Sequence, residues 1–140
     1  MPRPRRSLKG SPRDLSRLEG ASNANLPRAV KPSLAQLAKG APEGDNWLHE
    51  IKFDGYRMLA RIDRKLVRLI SRHGVDWTER FAAIAADLVQ LNVENAFIDG
   101  EIVAMDKRGA SSFSALQEAL SEGSTNGLIY VAFDLLHLDG

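Results

Sequence analysis

The sequence predicts a fold that mixes β-strands and α-helices, because two hydrophobic periods occur along one chain. Apolar and polar residues alternate with a period of two over 47–53, and short strand-like runs follow at 56–62 and 66–71. Apolar residues recur at helical spacing over about 78–91 and again after Ser112. Both periods within a chain of this length predict a single mixed domain.

Composition excludes several classes of protein. The chain has 140 residues, of which 44% are apolar and 26% charged, as is ordinary for a soluble globular protein. No apolar run approaches the roughly 18 residues of a membrane span, and the basic start leads into no apolar core of a secretory signal. The absence of cysteine excludes disulfides, cysteine-ligated zinc and thiol catalysis. It also fits a reducing cytoplasm, where we expect the protein to reside.

The net charge of +1 conceals two unlike segments. Residues 1–40 carry nine basic and two acidic residues, a net charge of +7, whereas the remainder carries −6. All six prolines lie at or before Pro42, and all nine aromatic residues lie at or after Trp47. A segment without aromatic residues buries too little apolar surface to offset its ordering entropy. We predict a basic, disordered linker or tail over 1–42, either a solvated connector or a non-specific phosphate contact, and a folded part over 43–140.

The first half of the folded part is predicted as strands followed by a helix. Three strands are separated by the turn signals at 54–55 and 63–65, and they cover 47–53, 56–62 and 66–71. Thr78 is predicted to cap a helix that ends near Leu91.

The second half is predicted as strand, helix, strand. The strand at 96–105 is apolar but interrupted at 99–101, and Ser112 is predicted to cap the short helix that follows. A strongly apolar strand at 128–136 leads into a turn signal at 137–140 with no partner strand after it, which is typical of a fold cut short.

The densest group of polar residues is the segment 50–57, EIKFDGYR. On a strand, Glu50 and Lys52 would share one side, as in an ordinary surface pair. A lysine nucleophile is the alternative, and it needs burial, a cationic neighbour or a metal-bound electrophile to lower its pKa. Gly55 would let a phosphate approach the backbone, and Arg57 would direct planar donors at phosphate or ribose oxygens.

This segment resembles the K-x-D-G signature of ATP-dependent DNA ligases, in which the lysine is adenylylated. Three later segments resemble the family's next motifs in the family's order, namely S-R-x-G, D-G-E and aromatic-F-D, at 71–74, 97–101 and 130–136. The residues around the first and last motifs are similar to the bacterial ligase D type used in end joining. Four motifs in order are far more specific than a lone K-x-D-G.

The resemblance covers about residues 32–140. It implies an α+β fold, the antiparallel-sheet, ATP-grasp-like nucleotidyltransferase fold of a ligase adenylation domain, with this chain as its truncated N-terminal part. It further implies an enzyme that seals nicked or broken double-stranded DNA through a lysyl-AMP, in repair, recombination and non-homologous end joining. ATP and a divalent metal, magnesium or manganese, are the implied cofactors. The implied partners are DNA, a Ku-like end-binding protein and the missing C-terminal ligase region, in the bacterial nucleoid and not at a membrane.

The resemblance also implies which residues act. Lys52 would attack the α-phosphorus of ATP and hold AMP. The residues implied to bind ATP or AMP are Glu50, Ile51, Arg57, Arg72, Glu101 and Phe133. The residues implied to support them are Asp54, Gly55 and Asp99.

Several of these roles have alternatives that the residues leave open. Glu50 would lie beside the adenine, while Arg57 and Arg72 would contact the ribose, the phosphates or the DNA end. Glu101 would bind the ribose or a metal, but acidic residues at a strand interruption also occur as part of a turn. Phe133 would stack on adenine, but a phenylalanine in an apolar run is commonly part of the core.

Two motifs that follow in this family, E-G-x-x-x-K and K-x-K, do not occur in these 140 residues. Lysines that hold the α-phosphate supply a large electrostatic contribution, so we expect weak or no self-adenylylation. The alternatives are therefore a catalytically incompetent remnant that binds nucleotide or DNA only, and a sister nucleotidyltransferase of the RNA ligase or capping type.

Overall fold

The structure is a computed structural model that describes Leu15 and residues 18–140. Within this range lie four strands and two helices, in the order β1 (Tyr56–Asp63), β2 (Leu66–Ser71), α1 (Ala82–Val89), β3 (Asn95–Val103), α2 (Phe113–Ser121) and β4 (Ile129–Leu138). No helix among the described residues is long and apolar enough to cross a membrane. The remaining residues of the predicted linker, 1–14 and 16–17, lie outside the described part.

The four strands form one antiparallel sheet in the order β2-β1-β3-β4. Between β1 and β3, Arg57 lies opposite Glu101 and Leu59 lies opposite Asp99. Residues two apart on a strand, and residues opposite each other on neighbouring strands, share a face of the sheet. These four side chains therefore lie on one face, which we call the site face. The predicted α+β class with an antiparallel sheet is confirmed.

The opposite face carries both helices and the main hydrophobic core. Leu88 of α1 and Leu116 of α2 are buried against alternate residues of the sheet. The largest fully buried side chains of this cluster are Phe81, Met58, Ile62, Leu69, Ile102 and Leu116. Helix α2 begins at the predicted cap, because the Ser112 side chain accepts a hydrogen bond from the Ala115 amide.

An extended segment, residues 27–33, crosses the site face, and we call it the strap. The Arg61 Nε donates to the Pro27 carbonyl at 3.0 Å, and the Arg57 Nη1 donates to the Ser33 carbonyl at 2.5 Å. The strap and the sheet enclose a cavity of about 430 Å³ with Leu59 in its lining. Part of the segment predicted as linker thus makes defined contacts with the sheet. The chain before the strap also meets the end of β4, where the Ala24 amide donates to the Gly140 carbonyl at 2.8 Å.

Several predicted elements differ from the structure. Strand β4 continues past its predicted end at Leu136 and includes His137 and Leu138. Residues 47–54 form no strand, so Glu50 and Lys52 do not share a strand face. The neighbouring strand β1 already pairs with β2 on one edge and with β3 on the other, so it offers no free edge to this segment. Helix α1 begins at Ala82, not after Thr78, because the Thr78 hydroxyl instead accepts from the Leu69 amide at 2.9 Å and donates to Asp76. Strand β3 runs through 99–101 without a break, because those residues pair with β1.

Candidate active site

Lys52 lies in the segment without regular structure that leads into β1. Its side chain is 87% exposed, and its Nζ is 3.9 Å from the Asp54 Oδ1, whose side chain is also largely exposed. An exposed pair at this distance contributes little to stability. The lysine is therefore positioned through the backbone that follows it, and not through its own contacts.

That backbone is held by side chains of β3 and of the loop that follows it. The Asp54 amide donates to the Ser111 Oγ at 3.0 Å, and the Gly55 amide donates to the Glu101 Oε1 at 3.1 Å. A Cβ at position 55 would overlap the Ile102 carbonyl oxygen. Gly55 therefore permits the close approach that joins the K-x-D-G segment to β3.

Arg57 and Asp99 form a bidentate ion pair on the site face. The Arg57 Nε donates to Oδ1 at 3.0 Å and Nη2 donates to Oδ2 at 2.7 Å. Asp99 is 2% exposed, and this hydrogen bonding, more than any other interaction, raises the pKa of Arg57 above its already high usual value. The planar fork of the guanidinium matches the carboxylate, so Asp99 fixes the plane in which Arg57 can meet a ligand.

Phe133 faces the same guanidinium because of a bulge in β4. Asp99 pairs with Asp134 and Gly100 with Ala132, so Phe133 is left without a partner on β3. A bulge of this kind redirects a side chain, and the Arg57 Cζ lies 5.6 Å from the centre of the Phe133 ring. The ring is 39% exposed and is not part of the buried core, which leaves a face for a planar ligand.

Glu101 is the half-buried acid of the site. Burial raises the pKa of its carboxyl group, an effect partly opposed by the Gly55 amide and by the positive charges of Lys52 and Arg57. One carboxylate oxygen holds the Gly55 amide, and the group has further acceptor capacity for a ligand hydroxyl or cation. Within the described residues, no three His, Asp or Glu side chains converge on one point; a magnesium ion held by one or two carboxylates and by phosphate oxygens does not require such a group.

Arg72 lies apart from this cluster, in the turn after β2. Its Nε donates to the His73 Nε2 at 2.9 Å, and both residues line the cavity under the strap together with Lys31. Glu50 and Ile51 are exposed in the segment that precedes Lys52. Direct contacts thus join Arg57 to Asp99 and Phe133, and separately Gly55 to Glu101 and Lys52 to Asp54.

Three residues of the site region were not singled out from the sequence. Ser111 and Ser33 contact the site from loops for which no spacing pattern predicts a role. The Tyr130 hydroxyl donates to the Met58 and Ile98 carbonyls at 3.0 and 3.1 Å, and burial raises the pKa of this tyrosine. A Cβ at Gly100 would lie 2.5 Å from the Tyr130 Cζ, so the glycine of the D-G-E segment makes room for this ring.

Comparisons with known proteins agree with this arrangement. A family model described as the ATP dependent DNA ligase domain matches residues 30–140. The multifunctional non-homologous end joining protein LigD of Pseudomonas aeruginosa is 36% identical over the whole of this chain, which spans 16% of that protein.

Two solved structures are also similar. The ligase domain of Mycobacterium tuberculosis LigD matches 65% of this chain and 29% of its own, with 39% identity and a TM-score of 0.58. A mycobacterial DNA ligase D complexed with ATP and MES matches the same shares with 39% identity and a TM-score of 0.52. The chain therefore spans less than a third of each of these relatives.

Proposed function

This chain belongs to the family of ATP-dependent DNA ligase domains, and on that premise we propose that it binds ATP on the site face and transfers AMP to Lys52. The whole reaction to which this step contributes is the sealing of broken DNA strands, as in the end-joining relatives. The residue roles below belong to the same proposal.

One observation carries it: residues of three of the four family motifs meet around Arg57. The K-x-D-G segment contributes Arg57 itself, the D-G-E segment contributes Asp99 as its ion-pair partner, and the aromatic-F-D segment contributes the Phe133 ring beside it. A flat apolar ring, a fixed guanidinium and a carboxylate suit the base, the phosphates and the ribose hydroxyls of a nucleotide.

In the proposed step, the exposed Lys52 amine gives its proton to solvent and attacks the α-phosphorus of ATP. A P–N bond forms, the bond between the α-phosphorus and the bridging oxygen breaks, and pyrophosphate leaves with that electron pair. Arg57 and Arg72 bind phosphate or DNA-end oxygens, Glu101 accepts from the ribose, Phe133 stacks on the adenine, and Glu50 and Ile51 border the adenine. Asp54, Gly55 and Asp99 support the geometry.

The ligands and partners of the site belong to the same proposal. ATP is supported by the family and by the ATP complex of a mycobacterial ligase D. A divalent metal would neutralise phosphate charge when bound, and Glu101 is the carboxylate that would hold it together with the phosphate oxygens. Nicked or broken double-stranded DNA is the proposed substrate, and a Ku-like end-binding protein is the proposed partner.

The test is incubation of the chain with ATP labelled at the α-phosphate and a divalent metal, followed by denaturing electrophoresis and mapping of the adduct. We expect a slow, acid-labile label on Lys52 that Lys52→Ala abolishes. Lys65→Ala is the matched control, because Lys65 is exposed in the β1–β2 turn, and it should keep the label. A label elsewhere, or one that survives in Lys52→Ala, would overturn the proposed role of Lys52.

A second candidate function, nucleotide binding without transfer, is favoured by the surroundings of Lys52. The side chain is 87% exposed, and its one ion pair within the described residues is with Asp54, whereas a lysine nucleophile is activated by burial or by a cationic neighbour. If calorimetry shows saturable ATP binding that Arg57→Ala weakens, while no adduct forms, this second function replaces the first.

A further inference from the structure

We propose that Ser111 is a positioning residue for Lys52, acting through the backbone of Asp54. The proposal rests on the proposed function, because it concerns the same lysine. Its basis is the hydrogen bond of 3.0 Å from the Asp54 amide to the Ser111 Oγ, which joins residues 57 positions apart in the sequence.

Ser111 is held in a small hairpin that extends β3. Met105 and Ser111 form an antiparallel bridge, and the Ser112 amide donates to the Ala104 carbonyl at 2.9 Å. The turn is closed by Asp106, whose Oδ1 accepts from the Arg108 and Ala110 amides at 2.8 and 2.9 Å. This turn chemistry fixes the backbone on both sides of Ser111.

The Ser111 contact is paired with the Glu101 contact on the next amide. Glu101 lies within β3, and Ser111 lies in the hairpin that continues it, so one unit binds the amides of both Asp54 and Gly55. The Asp54 amide belongs to the peptide group before Asp54 and the Gly55 amide to the peptide group after it. The two partners therefore fix both peptide planes that flank Asp54.

The Ser111 hydroxyl has no part in capping the helix that follows. Ser112 caps α2 by accepting from the Ala115 amide, and it also contacts the Ser114 hydroxyl. Loss of the Ser111 hydroxyl thus leaves the cap of α2 in place. The consequence of that loss falls on the K-x-D-G segment, whose lysine is two residues before Asp54.

Three variants test this in the full chain: Ser111→Ala, Ser111→Thr, and Ser121→Ala as the matched control. Ser121 is exposed and its hydroxyl donates only to the Glu118 carbonyl within α2. We expect NMR hydrogen exchange of the Asp54 amide to be about fivefold faster in Ser111→Ala, as loss of one net hydrogen bond predicts. Ser111→Thr, which keeps the hydroxyl, and Ser121→Ala should exchange at the parent rate. Unchanged exchange in Ser111→Ala, or no rescue by threonine, would overturn the proposal.

A second measurement separates positioning from a merely structural role. At saturating labelled ATP, Ser111→Ala should lower the rate of adduct formation while the ATP concentration for half-saturation stays the same, since the hydroxyl touches the backbone and not the nucleotide. Faster exchange with an unchanged rate would also overturn it. If the parent chain forms no adduct, the proposed transfer function fails, and the exchange measurement, which requires no ATP, still decides the proposal on Ser111.

Discussion

The ion pair between Arg57 and Asp99 places an almost fully buried carboxylate beside a partly exposed guanidinium. Their side chains are 3% and 23% exposed. Removing a charge from water is costly, and the cost is offset only when the partner supplies well-formed hydrogen bonds. Asp99 receives two from Arg57, so each residue depends on the other.

Substitution of Arg57 should therefore destabilise the fold as well as impair the site. We expect Arg57→Ala to lower the free energy of unfolding by about 2–3 kcal/mol, because it leaves Asp99 buried without its donor. Arg57→Ala combined with Asp99→Ala should recover part of the loss. Urea unfolding of the single and double variants measures this, and strictly additive losses would contradict the coupling.

Glu101 gives the site a dependence on pH whose sign follows from its burial. Burial raises the pKa of this carboxyl group, so the folded chain holds the proton more tightly than the unfolded chain does. The free energy of unfolding contributed by Glu101 is then largest at low pH and falls as the pH rises from the usual carboxyl range through the raised pKa.

Glu101→Gln removes this titration and keeps an oxygen that can accept from the Gly55 amide. We expect the variant to gain stability relative to the parent as the pH increases from about 4 to 7. Urea unfolding at several pH values within that window measures the difference. A difference that stays constant with pH would show that Glu101 titrates alike in the folded and unfolded chains.

The sequence predicted site residues that belong to short motifs, but it did not predict contacts between residues that are far apart in the chain. The resemblance supplied Lys52, Arg57 and Glu101 one by one, because each stands within a short motif. The contact of Arg57 with Asp99, across 42 residues, depends on the register of β1 against β3, which no local pattern encodes. Ser111 was missed for the same reason.

At the scale of elements, the sequence predicted the helices and strands that are stabilised by contacts between residues close together in the chain. Ser112 caps α2 within four residues of sequence, and β1 and β2 pair across a short turn, so both were predicted. The alternation at 47–53 predicted a strand, but a strand also needs a hydrogen-bonded neighbour. Residues 47–53 have no such neighbour in the described sheet. The amides of Asp54 and Gly55, which follow this segment, bind the side chains of Ser111 and Glu101 instead. The sequence left Phe133 either in the core or beside a ligand; the structure places it outside the buried core, at the bulge in β4, and its stacking on adenine stays a proposal.

The close packing of β3 against β4 at Gly100 provides a test at this scale. We expect Gly100→Ala to lower the free energy of unfolding by about 1–3 kcal/mol, because the added Cβ would lie 2.5 Å from the Tyr130 ring and 2.6 Å from the Val131 carbonyl oxygen. Gly40→Ala is the control, since a Cβ there meets nothing within 4 Å. Thermal unfolding distinguishes them, and equal midpoints would mean that Tyr130 moves aside without cost.

At the scale of the whole molecule, the charge of +1 is the sum of a basic first segment and an acidic remainder. The basic segment contributes the strap, which the Arg57 and Arg61 guanidinium groups hold by its carbonyl oxygens. Part of the site face, around Leu59 and Phe97, is therefore covered by a segment that composition alone assigned to a linker. The predicted division at residue 42 stays a prediction, and the strap provides the means to test it.

Removal of the strap should expose apolar side chains of the site face. Leu59 and Phe97 are 3% and 0% exposed and line the cavity beneath the strap. A chain that starts at residue 34 should unfold at lower urea concentration, since a fully buried side chain of this size contributes about 1.5–3 kcal/mol. A chain that starts at Leu18 loses the same kind of basic sequence but keeps the strap, and it should match the full chain. Equal midpoints for all three would show that the strap adds no stability to the fold.

The hydrogen bond between the Ala24 amide and the Gly140 carbonyl has a consequence for the order of folding. It joins positions 116 residues apart, and the entropy lost on closing a loop increases with its length. Its acceptor lies just beyond β4, which is placed only when that strand has paired with β3. We therefore expect the segment that leads into the strap to dock after the sheet has formed, and to be the first to detach as the chain unfolds.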